Sequence, residues 1–313
     1  MEGMDDVLTP EDDNFHPIGD PHWFWHETCF FYFYIAEKKT GCWLYNYIRP
    51  NIGLAGGGCW VWDDRSFFHM EAPYYANYSA LPLPAERDLR DFTFPSGVRM
   101  RMLEPLAKYH LTYADRDWIA VDVVWDAIQK PWVRAKGEPP VASHWEQFGH
   151  VTGELTLHGE RMRVDCLAMR DRTWSFRSEK WKTHGGTAYA SAAASGDLNF
   201  LATGGESIGG FFTENGERRA IATGERRVER HADNGYITRI ELDATDTAGR
   251  RVVAVGEPVS RLAMPLPGLH AVVWTSTVAW TINGVRCWGE DQDPWPLAEW
   301  AQLRRSGRAG RAL

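Results

Sequence analysis

The sequence predicts an all-β protein of two domains, each an antiparallel β-barrel or sandwich. Short segments of alternating polar and apolar residues recur along the chain, and turn pairs containing glycine separate them, whereas helical periodicity is scarce. This spacing is typical of sandwiches and up-and-down barrels and does not fit strand–helix–strand units. The 313 residues are also many for one compact core and suit two domains of ordinary size.

The predicted strands of the first half are dense in aromatic residues. Trp, Phe and Tyr fill Trp23–Ala36 so closely that we expect a strand buried on both faces or lining a barrel. Lys38–Gly41 is predicted to turn the chain into a strand at Cys42–Ile48. The triple glycine at 56–58 has no helix after it and is interpreted as a turn before a strand at Cys59–Trp62. Later strands are expected at Val98–Leu103, Tyr109–Tyr113 and Ile119–Trp125.

A segment rich in Pro, Lys and Gly, 127–142, is the best candidate for a linker. We therefore expect an N-terminal domain at 1–140, a C-terminal domain at 141–304 and a frayed basic tail at 305–313. Hairpin signals become clear after the linker, where His158-Gly159 joins two alternating segments. Similar turn pairs stand at Asn215-Gly216, Asn234-Gly235, Ala248-Gly249 and Asn283-Gly284. One short helix is predicted near Leu297–Arg304.

Charge and composition argue against several functional classes. A net charge of −8 provides no basic surface for a nucleic acid. The acidic start of the chain has no apolar signal segment, so a cytoplasmic protein is expected. The uncharged stretch from Leu262 to Val285 contains prolines and glycines and is interpreted as a loop and a hairpin, without membrane insertion. Five widely spaced cysteines indicate reduced, buried thiols.

The aromatic content is the most informative part of the composition. Large rings commonly line ligand cavities, although they also fill ordinary cores, and the chain has 16 Trp, 11 Tyr and 14 Phe. We expect these rings to enclose a bulky apolar small molecule, and the sequence leaves an oligomer open. The candidate substrate-binding residues are Trp25, Tyr32, Tyr34, Asn51, Trp62, Trp125 and Trp174.

Three segments place ionisable groups among aromatic residues, at 22–27, 144–147 and 169–177. A carboxyl group in apolar surroundings favours its neutral form and can act as an acid near neutral pH. The candidate catalytic residues in these segments are Asp171, Glu27, His26, His144 and Glu146. Neither a nucleotide-binding glycine loop, a GxSxG elbow nor an HExxH motif is present in the sequence.

The environment of Asp171 has two interpretations. Side chains alternate in a strand, so Arg170 and Arg172 would point away from Asp171, which would share its face with Thr173. Alternatively, the arginines and carboxylates form interlocked ion pairs with a purely structural role. The pairs His26-Glu27 and His144/Glu146 could also ligate a metal. No compact third ligand lies near either pair in the sequence, so neither a metal nor another cofactor is expected.

The same segments resemble a known family. The stretch HWEQFGHVTGELTLHGERMRVDCLAMRDRTWSFR (144–177) is similar to the core of bacterial proteins related to hydroxyneurosporene synthase, or carotenoid 1,2-hydratase. HWFWHETCFFYFY (22–34) and RPNIGLAGGGCWVWD (49–63) are similar to the N-terminal half of that group. The resemblance implies two lipocalin-like β-domains packed together, with an apolar ligand site inside or between them. Phe148 and Ser175 depart from the family pattern, so no substrate is carried over.

The residues and the resemblance together predict a cofactor-independent lyase or isomerase of hydratase, cyclase or double-bond isomerase type. Its substrate would be terpenoid or steroid-like, and Asp171 or Glu27 would protonate an alkene or polarise a carbonyl. Rings such as Trp25 and Trp174 would stabilise the resulting cation. A non-catalytic carrier of hydrophobic small molecules needs the same pocket without the acid, and a pericyclase would work by shape alone.

Overall fold

The structure is a computed structural model that describes residues 8–17, 22–135, 143–176, 188–265 and 271–305. Part of the predicted linker, Arg177 of the third ionisable segment, and the predicted tail after Arg305 lie outside the described residues. Within the described part, nineteen strands and one α-helix form, so the all-β fold class is confirmed. The helix, α1 (Leu297–Arg305), lies where the sequence predicts one.

The first eleven strands form one antiparallel sheet in the order β4-β3-β2-β1-β11-β10-β8-β7-β6-β5, with β9 paired to β10. The long hairpin β10–β11 lies in the middle, because β11 pairs with β1 and β10 pairs with β8. The strands are β1 (Trp25–Ile35), β2 (Thr40–Arg49), β3 (Leu54–Trp62), β4 (Tyr74–Pro82), β5 (Asp91–Thr93), β6 (Arg99–Glu104), β7 (Lys108–Asp115), β8 (Ile119–Ala127), β9 (Trp132–Ala135), β10 (Ser143–Leu157) and β11 (Glu160–Phe176).

This sheet is curled, and it has an inner and an outer face. The hydroxyl oxygens of Tyr74 on β4 and Tyr113 on β7 lie 2.6 Å apart, although these strands are far apart in the sheet order. On the same side, the ring of Phe31 on β1 lies 5.6 Å from that of Tyr109 on β7. The face that carries these four residues is therefore the inner face. Every residue of β1 is buried, so this strand is buried on both faces, as its composition predicts.

The remaining strands form a closed antiparallel barrel. One part of its interior is apolar, with the ring of Phe200 5.1 Å from that of Trp280 and several alanines around them. Another part holds buried ion pairs, in which Arg226 bonds both oxygens of Asp291 and Arg230 bonds both oxygens of Asp293. The strands are β12 (Ala188–Ser195), β13 (Leu198–Gly204), β14 (Ile208–Glu214), β15 (Glu217–Arg230), β16 (Ile237–Asp246), β17 (Arg251–Pro265), β18 (Ala271–Ile282) and β19 (Val285–Pro296).

The two compact units differ from the expected domains. One unit contains β1–β11, and the other contains the barrel, α1 and residues 63–71 from the loop between β3 and β4. The boundary expected near residue 140 falls inside the first unit, because β10 and β11 complete the sheet of β1 and β8. The ring of Phe67 lies 5.1 Å from that of Trp274, which places its loop with the barrel.

The predicted hairpin turns are present, but the triple glycine is not a turn. His158-Gly159, Asn215-Gly216 and Asn283-Gly284 all have positive φ at both positions, as tight two-residue hairpins require. Residues 56–58 instead lie inside β3, where an added Cβ on Gly56 would lie 2.4 Å from the ring of Tyr47. Close approach of the neighbouring strand therefore explains this glycine. In the described residues, no helix has the length and apolar character needed to cross a membrane.

Candidate active site

Strand pairing divides the predicted site residues between the two faces of the curled sheet. Residues directly opposite one another in an antiparallel pair share a face. The pairs of Glu27 with Trp174 and of Arg170 with Gln147 lie on the inner face, and the pair of Glu146 with Asp171 lies on the outer face. Trp25, Glu27, Trp125 and Trp174 are thus on the inner face, whereas the outer face carries His26, Tyr32, Tyr34, Trp62, His144, Glu146 and Asp171.

Glu27 is engaged in a buried ion pair. Arg172 donates to its carboxylate over 3.1 Å and to the backbone oxygens of Thr28 and Asn14 over 2.8 and 2.7 Å. The backbone N–H of His16 donates to the same carboxylate over 3.0 Å, and the His16 ring stacks 3.8 Å from Trp174. These contacts suit a structural anchor, which is one of the two interpretations that the sequence allows for the arginines.

Arg170 occupies a cage of aromatic rings on the inner face. Its guanidinium carbon lies 3.8 Å from the ring centre of Tyr109 and 4.3 Å from that of Trp145. Asp13 accepts from Arg170 over 3.1 Å, from the Leu106 backbone N–H over 2.8 Å and from the Tyr109 hydroxyl. Burial raises the pKa of Tyr109, which keeps its hydroxyl protonated as a donor. A cation held over π-faces and one carboxylate is well stabilised, so this arrangement fixes the N-terminal segment (residues 8–17) to the sheet.

On the outer face, His144 joins two groups by hydrogen bonds. Its Nε2 lies 2.7 Å from Glu146 Oε1, and its Nδ1 lies 2.6 Å from Thr173 Oγ1. An ionised carboxylate only accepts, so Nε2 carries the proton in the neutral ring, and Nδ1 then accepts from the Thr173 hydroxyl. The Glu146 side chain is fully buried, and its Oε2 has no hydrogen-bond partner among the described residues. The His144 side chain remains 22% exposed. This line can pass a proton between the surface and a buried carboxylate.

Asp171 lies next to this line. It is half-buried, directly opposite Glu146 on β10 and opposite Phe30 on β1. Arg170 and Arg172 lie on the inner face and have Asp13 and Glu27 as their carboxylate partners. Asp171 and Thr173 share the outer face, as strand alternation predicts. The structure therefore brings three predicted residues, His144, Glu146 and Asp171, onto one small patch.

A layer of packed aromatic rings, the aromatic surface, borders this patch on the outer face, and its rings are buried except for the half-buried Tyr45. The rings of Phe30 and Trp43 lie 4.9 Å apart, and those of Tyr32 and Trp62 stack at 6.0 Å. His26 lies at its edge, 5.9 Å from the ring of Tyr47. The members of this surface on β1, β2 and β3 are Phe30, Tyr32, Tyr34, Trp43, Tyr45, Tyr47, Trp60 and Trp62.

A cavity of about 550 Å³ opens elsewhere in this unit, and none of the predicted substrate-binding residues lines it. Asn51 is also away from the aromatic surface, in the turn after β2, and its amide donates to the backbone oxygen of His22 over 2.6 Å. The lining residues of the cavity are Leu8, Pro105, Leu106, Ala107, Ala127, Ile128, Gln129, Lys130, Pro131, Val133 and Gln147.

Sequence reasoning missed Asp13 and Thr173 as partners in these clusters. Asp13 stands in an acidic N-terminal stretch that looks like ordinary solvated surface, and Thr173 carries no charge.

In the described part of the chain, no three His, Cys, Asp or Glu side chains group as a metal site would require. The five cysteines are free and buried.

A family model described as "Domain of unknown function (DUF7064)" matches residues 9–302. The chain belongs to this family. The DUF7064 match covers strands of both compact units, so the family model includes both units and not one alone. No functionally curated protein matches the sequence.

Three solved structures are similar to this DUF7064 protein. CghA is 10% identical with a TM-score of 0.52, covering 87% of this chain and 88% of its own. Kievitone hydratase from Nectria haematococca is 10% identical with a TM-score of 0.49, covering 94% and 92%. An AttH-type protein from Nitrosomonas europaea is 12% identical with a TM-score of 0.49, covering 86% and 91%. At these identities, the likeness to CghA shows a shared fold and nothing about activity.

Proposed function

We propose that this protein is a lyase or isomerase that transfers protons to and from an apolar small molecule on the outer face of the first sheet. The observation that carries the proposal is the line from Glu146 through His144 to Thr173, with Asp171 beside it. A carboxyl group and a histidine oriented by a second carboxylate are the groups that general acid–base catalysis requires.

Each group has a role in the proposed reaction. Asp171 donates a proton to a carbon of an alkene, and the positive charge develops on the neighbouring carbon. His144 Nδ1 then acts as the base through the Thr173 hydroxyl, which passes its own proton to the ring. In exchange the hydroxyl takes a proton either from an attacking water, which gives addition, or from an adjacent carbon, which gives an isomer. Glu146 holds the ring of His144 in one tautomer and stabilises the imidazolium that forms. The proton on His144 returns to Asp171 through water, which completes the cycle without a redox step.

The aromatic surface supports an apolar substrate of terpenoid or steroid type. Phe30 and Trp43 are each 2% exposed, so a substrate that reaches them must displace what covers them. Their π-faces, whose centres lie 4.9 Å apart, would then attract a developing carbocation. Phe30 is directly opposite Asp171, which supports a charge-stabilising role for this ring beside the proposed proton donor. The inner-face residues Trp25, Trp125 and Trp174 belong to the core in this proposal.

The substitution Asp171→Asn tests the acid. We expect turnover to fall by about 10²–10⁴-fold, which is the usual contribution of general acid catalysis, with little change in melting temperature. The stability should persist because Arg170 and Arg172 keep their own carboxylates. Deuterium uptake from D₂O into a panel of terpenoid alkenes and steroid enones, followed by mass spectrometry, measures the proton transfer directly.

The matched control is Glu27→Gln, which removes a carboxylate on the inner face. This variant should lose stability by about 3–5 kcal/mol, because Arg172 is left buried without its ion-pair partner. Where it stays folded at low temperature, it should keep most of its activity. Substrates that bind to the wild type without deuterium uptake or conversion would instead indicate a carrier.

A further inference from the structure

The cavity of the first unit is a second candidate ligand site, independent of the proposed reaction. Its volume of about 550 Å³ lies within the usual range for small-molecule sites. Most of its lining is apolar, and Leu106 and Val133 continue into a cluster with Trp25, Trp145 and Trp174. Leu8 of the N-terminal segment forms part of the wall. An apolar ligand body would therefore meet hydrophobic side chains on several sides.

Three of the lining residues have polar side chains, Gln129, Lys130 and Gln147. Gln129 Nε2 is buried and has no hydrogen-bond partner among the described residues, so it is a donor whose burial costs free energy until an acceptor arrives. Lys130, the next residue, is exposed and adds the one positive charge among the described lining residues. Gln147 is already engaged, since its amide donates to the backbone oxygens of Leu106 and Gln129.

We propose that this cavity binds an apolar chain that ends in a carboxylate, such as a fatty acid. The carboxylate accepts from Gln129 Nε2 near Lys130, and the hydrocarbon lies along Leu8, Leu106 and Val133. A buried donor with no partner, a neighbouring cation and an apolar wall are together the elements that recognise such a ligand. The site is distinct from the outer-face patch, because Gln147 and Ala127 at the cavity lie on the inner face.

The N-terminal segment couples to this site. The Leu106 backbone N–H donates to Asp13 over 2.8 Å, and Asp13 pairs with Arg170 over 3.1 Å. Leu8 and Leu106 both line the cavity. The bound ligand and the Asp13 ion pair therefore hold the same part of the cavity wall in place. A ligand that binds only the folded wall stabilises the protein by mass action.

Displacement of fluorescent dansyl-undecanoic acid from the full chain tests the proposal, with dodecanoate and dodecanol as competitors. We expect dodecanoate to displace the probe at roughly tenfold lower concentration than dodecanol, and to raise the melting temperature. Gln129→Leu should weaken dodecanoate binding by roughly tenfold, because the hydrogen bond to a charged group is lost. Gln302→Leu, the same exchange on the exposed side of α1, should leave binding unchanged.

The variant Ala107→Trp fills the cavity and should abolish probe binding while circular dichroism stays native. Equal competition by dodecanoate and dodecanol would overturn the proposal, and so would unchanged dodecanoate binding in Gln129→Leu. The Gln129→Leu measurement decides the question even where Ala107→Trp fails to fold. Asp171→Asn should bind dodecanoate as the wild type does. Failure of the outer-face reaction is thereby distinguishable from failure of this site.

Discussion

The ring of His144 is fixed by hydrogen bonds at both of its nitrogens. Two strands provide the partners, since Glu146 stands two positions further along β10 and Thr173 lies directly opposite on β11. Period-two alternation is therefore sufficient to bring the carboxylate and the ring to one face. Glu27 shows the contrast, because the same residue type on the inner face is held by Arg172.

The five cysteine thiols are all buried and free. Burial raises the pKa of Cys29 to about 11 and that of Cys166 and Cys287 to about 12. The thiolate is the nucleophile and forms only as the pH approaches these values, so at pH 8 these groups are neutral as well as buried. We expect maleimide to leave the native protein unlabelled at pH 8 and to label five thiols after denaturation, as counted by mass spectrometry. Rapid labelling of the native protein at pH 8 would contradict this.

Gly56 gives a residue-scale test of close strand packing. An added Cβ would lie 2.4 Å from the Tyr47 ring and 2.5 Å from the backbone oxygen of Tyr78. Overpacking of this kind typically costs about 1–3 kcal/mol. We therefore expect Gly56→Ala to lower the free energy of unfolding, measured in urea, by about 1–3 kcal/mol. Gly209→Ala is the matched control, since nothing lies within 4 Å of its added Cβ. Equal stability of the two variants would show that β3 accommodates a side chain here.

At the scale of elements, the hairpin β10–β11 organises both sites of the first unit. Its inner-face residues Arg170 and Arg172 hold the N-terminal segment through Asp13 and Asn14. Its outer-face residues form the proposed proton line. Because adjacent residues of a strand point to opposite sides, one hairpin can carry an ion-pair core and a reactive patch without the two sets mixing.

The N-terminal segment should depend strongly on Asp13. Asp13→Asn leaves the caged Arg170 without its carboxylate, and loss of one partner of a buried ion pair costs about 3–5 kcal/mol. Urea-induced unfolding should report this loss. Asp243→Asn, which breaks an exposed pair with Arg251, should leave the midpoint almost unchanged. Similar small effects in both variants would mean that the aromatic cage alone stabilises Arg170.

At the scale of the whole molecule, the sequence predicts the fold class and the hairpins but not the division of the chain. Local alternation and turn residues specify β10 and β11, yet their partners β1 and β8 are distant or lie across the Pro-rich segment. No local signal assigns a hairpin to the preceding or the following unit. Likewise, Asp13 and Arg170 are 157 positions apart, so their contact needs the complete sheet. The outer-face patch is predictable because its members are two positions apart or on neighbouring strands.

The closed barrel and the open sheet differ in how they resist aggregation. All eight strands of the barrel have partners on both sides, so it presents no free row of backbone donors and acceptors to another molecule. The sheet ends at β5, which has only three residues, and at β4, which has nine. Along β4, Tyr78 is 42% exposed, and residues 79–80 are also exposed. Long edges of this kind can serve as templates for intermolecular strand pairing. In concentrated or partly unfolded samples, self-association of this chain should therefore begin at β4.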